Sequence, residues 1–276
     1  MMQGRTSFFP IPSLLLCCGL AGLAVPSSLA QQPAPAAVAT FNAYVDAVEA
    51  RLTGQRQSSI AFPGSLLSDP GNRRRLRDGE MIVERLTPPA PDALPGAMLH
   101  HWRAAAFVPG STAADFTRLM QDFNHYSGIY APQVLEARVI AQQGDRYSVR
   151  MRLRQRHVLT VTMDTTCEVS FGELSPRLRY SVSRSTRIAE IGSSGHALSA
   201  TAEHGYLWRQ NTYWICEELD GGVYLQIESV SLTRAIPPGL GWAIGPFVES
   251  VPRDALTFTL RATSAALRNA RVAEMQ

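Results

Sequence analysis

Between residues 134 and 235 six extended segments follow one another with little between them, and an antiparallel sheet is the arrangement that absorbs such a run. The segments are 134–142, 146–156, 158–171, 178–191, 205–219 and 223–235. Gly144-Asp145, Gly172, Ser175-Pro176, the stretch 192–195 and Asp220-Gly221-Gly222 punctuate them. Asp220-Gly221-Gly222 is the clearest hairpin signal, because the central positions of a tight hairpin turn need left-handed backbone. A strand as long as 178–191 spans roughly 46 Å at about 3.3 Å per residue, so the sheet must twist and curl.

The flanks complete the fold class. Residues 98–108 read as an earlier strand, ended by Pro109-Gly110. Ser111 or Thr112 can cap a helix with Phe116, Leu119, Met120 and Phe123 at helical spacing, in a tandem of short helices that ends near 126–132. Beyond the sheet, Pro237-Pro238-Gly239 closes the last strand and an aromatic segment with Trp242 and Phe247 follows. Ser250 with Pro252 then opens a final helix. Its Leu256, Leu260, Thr263 and Leu267 form a core-facing stripe. The expected class is α+β, a curved antiparallel sheet around a long C-terminal helix.

Ahead of this body, 31–92 reads as an N-terminal extension. Gln31 to Ala37, with Pro33 and Pro35, reads as a flexible leader. Phe41, Tyr44, Val45, Val48 and Leu52 predict an amphipathic helix over 38–53, stopped by Gly54. A Pro/Gly-rich loop then carries a basic helix near 72–77 and a short strand at 80–86. Its Arg73-Arg74-Arg75-Leu76-Arg77 run suits either a solvated helix face or a phosphate or anionic-lipid contact. Residues 1–30 read as a signal peptide: Arg5, an apolar run from 14 to 25, and Ser28-Leu29-Ala30 before cleavage near Ala30. The apolar run falls short of the roughly 20 residues of a spanning helix, so no stable transmembrane segment is expected after cleavage. Cys17 and Cys18 lack the small residues of a lipidation box ahead of them. The expected location is periplasmic or secreted, and the domain proper is 93–276.

Composition excludes several functions. All 26 basic residues are arginine and the net charge is only +3, which speaks against nucleic acid as a partner. Without lysine there is no Schiff base and no Walker lysine. Cys167 and Cys216 lie on segments separated by 178–191, some 9 to 10 Å at about twice the neighbouring-strand spacing, beyond disulfide reach. His100 and His101 point to opposite faces of one strand, and no histidine pair has the spacing of a zinc helix, so no metal and no cofactor are expected.

Several motifs carry a resemblance: HHWRA at 100–104, STRIAEI at 185–191, GYLWRQNTYWICEE at 205–218, IPPGLGWAIGPFVESVPRDAL at 236–256, and the lead-in RDGEMIVERL at 77–86. With the element order, they make 93–272 resemble the helix-grip fold of the SRPBCC superfamily, which contains START lipid-transfer domains, polyketide cyclases and birch-allergen-like proteins. The closest likeness is to secreted bacterial members. The resemblance implies a cavity between sheet and C-terminal helix that holds a hydrophobic ligand. It carries over no catalytic residue, and only some members of the superfamily are enzymes.

Strand alternation selects the residues expected to line that cavity. In 205–219, Trp208, Gln210, Thr212, Trp214 and Cys216 share the face assigned to the interior. There the Gln210 amide needs a partner, which a water, the backbone or a ligand's polar end would supply. In 146–156, Tyr147, Val149, Met151 and Leu153 alternate with Arg150, Arg152, Arg154 and Arg156. That arginine stripe fits either cross-strand pairing with Asp164 and Glu168 or weak contact with an anionic surface. Arg187 and Glu190, three apart on one strand, face opposite ways and read as structural. His100 shares parity with Trp102 and is either a core histidine or a general base. The expected lining is therefore His100, Trp102, Tyr147, Met151, Trp208, Gln210 and Trp214, with Leu256 and Leu260 from the helix. The expected function is an exported binder of a hydrophobic or amphipathic small molecule, a lipid among the options. The alternative is a cyclase- or dehydrase-type enzyme using the same cavity.

Overall fold

A computed structural model describes residues 32–57, 65–88, 94–156, 160–192, 205–236 and 241–274, with no side-chain account for 241–249 and 271–274. The signal segment 1–30, most of the turn at 192–195, Pro237-Pro238-Gly239, His157, His196 and His204 lie outside the described residues, as do the side chains of Trp242 and Phe247.

Eight antiparallel strands form one curved sheet. In chain order they are β1 (Ile82–Arg85), β2 (Ala97–Pro109), β3 (Val134–Gln143), β4 (Arg146–Arg156), β5 (Thr160–Ser175), β6 (Leu178–Ile191), β7 (Leu207–Leu219) and β8 (Gly222–Arg234). In space they run β1-β2-β8-β7-β6-β5-β4-β3. From β3 to β8 each strand pairs with its successor, and β8 then pairs along its whole length with β2. The turn at Asp220-Gly221 has positive φ at both residues (56° and 74°), the mirror-image turn that matches the strands' twist. Between β2 and β3 lie α3 (Ala113–Gln121), a 3-10 turn (Phe123–His125) and α4 (Tyr126–Ile129). Thr112, rather than Ser111, caps α3, in a reciprocal capping box with Asp115.

The concave face holds the C-terminal helix α5 (Gly241–Glu274). Ala104, Ala106 and Val108 of β2 and Val223, Leu225 and Ile227 of β8 meet Leu256, Leu260 and Leu267 in one core. The small alanines let the helix approach the sheet closely over these two strands. The helix begins nine residues before Ser250, and Pro252 lies inside it. A proline that reads as a start signal is also accommodated within a long helix, at the cost of one hydrogen bond.

The convex face is covered by the N-terminal extension. Helix α1 (Pro35–Gln57) buries Ala37, Phe41, Val45, Val48 and Leu52 against Leu99, Val182, Tyr213, Val230 and Leu232. Next to it, a 3-10 turn (Leu66–Ser68) and α2 (Pro70–Arg77) bring Leu66, Leu67 and Leu76 onto Ala105, Ile215 and Tyr224. With β1 paired to β2, the extension is built into the sheet. The leader is shorter than the sequence suggests. Pro35 opens α1 at the first helical position, where its missing N–H costs nothing, and Ala37 is already fully buried.

Under α1 lies a buried polar array. The Tyr44 hydroxyl sits 2.7 Å from His101 Nδ1, and His101 Nε2 donates to Glu228 Oε1 at 2.7 Å. Arg51 of α1 pairs with the same carboxylate, and at the exposed edge of the helix Arg184 of β6 pairs with Glu49 at 2.6 Å.

Candidate functional site

Helix α5 lies over the β2 and β8 half of the sheet, and space remains over the other half. A cavity of about 190 Å3 opens there. Its floor is Met151 and Leu153 of β4, Thr165, Cys167 and Val169 of β5, Ser181, Ser183, Ser185 and Ile188 of β6, and Gln210, Thr212 and Trp214 of β7. Met120, Phe123, Tyr126 and Tyr130 close one end, and Ala255, Phe258 and Thr259 of α5 form a wall. A second space of about 80 Å3 adjoins it, sharing Gln155, Gln210, Thr212, Ala255 and Thr259. It extends over Ser229, Ser231 and Thr233 of β8 to Tyr206 and Leu256.

The two spaces differ in character. At the short-helix end, Tyr126 donates to the Met120 carbonyl at 2.6 Å and Tyr130 bonds Thr263 at 3.0 Å, so both rings are fixed. Burial pushes the Tyr130 hydroxyl up to about 12 and the Cys167 thiol to about 11, and it raises Tyr126 well above its ordinary value. All three stay protonated at neutral pH. At the β8 end, Gln210 Nε2 reaches Ser229 Oγ only at 3.5 Å. The hydroxyls of Thr212 and Ser231 there, and that of Ser181 on β6 in the larger space, hold no hydrogen bond among the described residues. None of the described residues lining either space carries a charge.

Of the residues expected at the cavity, Met151, Gln210 and Trp214 line the larger space and Leu256 the smaller. Tyr147 stands one layer out, against Phe123 at 5.3 Å between ring centroids. His100 is buried on β2 and bonds Thr233 at 2.9 Å, and Trp102 and Leu260 belong to the packing between β2 and the helix. None of the three lines either space, and for Trp102 and Leu260 the reason is that the helix packs over β2. Trp208 is on the opposite, convex face beneath α1. A bulge shifts the register between Leu207, opposite Thr233, and Arg209, opposite Leu232, and turns Trp208 away from the face that Gln210 and Trp214 share.

Burial and the nearby Arg85 charge lower the His100 pKa to about 4, so the ring is neutral at pH 7 but does not reach the cavity. Cys167 and Cys216 are free and buried, on β5 and β7 with β6 between them. Arg150 and Arg152 both bind Asp164, at 2.9 and 2.7 Å, so cross-strand pairing absorbs part of the arginine stripe.

An eight-stranded antiparallel sheet closed on a long terminal helix, with a cavity between them, decides the architecture. The fold is the helix grip. No family model matches this helix-grip chain, and no curated protein does. Solved structures similar to it include a STAR-related lipid transfer protein from Xanthomonas axonopodis, at 13% identity over 67% of this chain and 98% of that one, with a TM-score of 0.45. The Zhui aromatase/cyclase from Streptomyces sp. R1128 is similar at 14% identity over 62% and 94%, with a TM-score of 0.44. Human STARD10 is similar at 10% identity over 71% and 79%, with a TM-score of 0.41. Likeness at this level concerns the course of the chain and not its ligand.

Proposed function

We propose that this helix-grip protein binds a hydrophobic or amphipathic small molecule between its sheet and α5, and that it does so outside the cytoplasm. The observation that carries the binding is the roughly 190 Å3 cavity beside α5, walled by Met120, Phe123, Met151, Trp214 and Phe258. Export rests on the charged, apolar and small-residue signals of 1–30. The cyclase or dehydrase alternative needs a group that moves protons near neutral pH. The ionisable described residues of the lining are the tyrosines Tyr126, Tyr130 and Tyr206 and the thiol Cys167, all with pKa values raised by burial. That favours binding over turnover. Arg150, Arg152 and Arg154 offer only a weak contact with an anionic surface, since Asp164 neutralises part of the stripe.

The test is extraction of the purified protein with organic solvent and mass spectrometry of the extract, followed by titration with the compounds found while Trp214 fluorescence is read. A stoichiometric small molecule that quenches on rebinding is the expected result. An empty extract, with no response to fatty alcohols, sterols, quinones or phospholipids, would remove the proposal.

A further inference from the structure

The polarity map of the cavity restricts what can occupy it. We infer that the site takes a compact, uncharged ligand with an apolar, ring-sized body and hydrogen-bonding oxygens at one end. The body lies by Phe123, Tyr126 and Tyr130, and the oxygens over Gln210, Ser229 and Ser231. This inference rests on the binding proposed above and adds the chemistry of the ligand.

Charge is the first restriction. An ionised group taken from water needs an opposite charge or several strong donors around it, or it costs several kcal/mol. None of the described residues lining the two spaces is an arginine, histidine or carboxylate. A carboxylate, phosphate or ammonium therefore has no counterpart inside.

Polarity at one end is the second. On β6, Ser181, Ser183 and Ser185 alternate onto the concave face, and on β8 Ser229, Ser231 and Thr233 do the same. Together with Thr212 and Gln210 they make a band of neutral donors and acceptors across three neighbouring strands. Buried hydroxyls are expected to be hydrogen-bonded. Ser181, Thr212 and Ser231 have no partner among the described residues, so a purely hydrocarbon occupant would strand them. A hydroxyl or carbonyl of a ligand satisfies them and also gives Gln210 a better partner than Ser229 at 3.5 Å.

Size is the third. An apolar cavity of about 150 Å3 accepts one benzene ring. The larger space here, about 190 Å3, with the adjoining 80 Å3, suits a body of one or two rings with its polar end in the smaller part. A long acyl chain does not fit without widening.

Calorimetric titration of the intact protein with naphthalene, 2-naphthol, 2-naphthoate, dodecanol and dodecanoate tests all three restrictions. The expected result is 2-naphthol binding at least tenfold tighter than naphthalene, 2-naphthoate or either twelve-carbon compound. In the Gln210→Leu, Ser231→Ala double variant the preference for 2-naphthol over naphthalene should fall below threefold. Equal or tighter binding of 2-naphthoate, naphthalene or dodecanol would overturn the restriction on charge, polarity or size respectively, as would a double variant that keeps the preference. If no probe binds but solvent extraction of the protein yields a bound lipid, the binding proposal stands and this inference falls. If neither gives a ligand, both fall.

Discussion

Glu228 is 1% exposed; its Oε1 meets both His101 and Arg51, while its Oε2 has no hydrogen-bond partner among the described residues. Burial alone would push its pKa up, but the His101 hydrogen bond and the charges of His101, Arg51 and Arg103 outweigh burial and hold it below the ordinary carboxylate value. Breaking such a pair costs about 3 kcal/mol, and a domain of this size loses roughly 2–4 °C per kcal/mol. Glu228→Gln should therefore lower the melting temperature by on the order of 10 °C; an unchanged melting curve would mean that the array only offsets its own desolvation. The pH dependence follows from two groups. A depressed carboxylate stabilises fully above its unfolded pKa, so Glu228 stabilises above about pH 4.5 and loses that as pH falls through its lower folded value. His100, lowered from 6.5 to about 4, takes up its proton more readily when unfolded, so the fold weakens as pH drops from 6.5 to 4. Denaturant melts of His100→Asn should show a flatter stability profile across that window, with the steeper loss below pH 4.5 retained.

Among the elements, β7 shows where alternation along a strand stops being a guide. On β4 parity sorts Met151 and Leu153 to the cavity and Arg150 and Arg152 to the convex face without exception, because that strand's register with β5 is continuous. On β7 the bulge after Leu207 reverses one residue, and nothing in the local sequence marks it. Tyr126 and Tyr130 were beyond the reach of parity for another reason: they come from the short helices after β2, whose placement over the sheet depends on tertiary packing. The serines were within reach. Ser181, Ser183, Ser185 and Ser229, Ser231, Thr233 recur at every second position, a pattern that weighting tryptophans over hydroxyls passes by. As a consequence of the bulge, Trp208 anchors α1. Trp208→Ala should cost about 3–5 kcal/mol and speed hydrogen exchange throughout α1, while ligand affinity in the cavity stays as it was. Lost affinity without faster α1 exchange would return Trp208 to the concave side.

At the scale of the whole molecule, the sheet is used asymmetrically: β2 and β8 carry most of the core with α5, and the larger space opens over β4 to β7. The two halves should respond to substitution in opposite ways. Leu260→Asp puts an unpaired carboxylate at a fully buried core position and should leave no cooperative melting transition, whereas Ala255→Leu fills open space and should keep or raise the melting temperature while weakening ligand binding at least tenfold. A folded Leu260→Asp protein, or full binding by Ala255→Leu, would show that core and cavity have been assigned to the wrong halves. The pairing of β2 with β8 has a further effect, on the order of events. His101 and Glu228 meet across 127 residues, and α1, β1 and β2 find their partners on strands made much later. Contacts that distant in the chain are slow to form, and the first third has no stable surface to pack on until β8 exists. A nascent chain halted after Leu219 should stay open to protease from end to end, and resistance should arrive abruptly once the last strand has emerged from the ribosome.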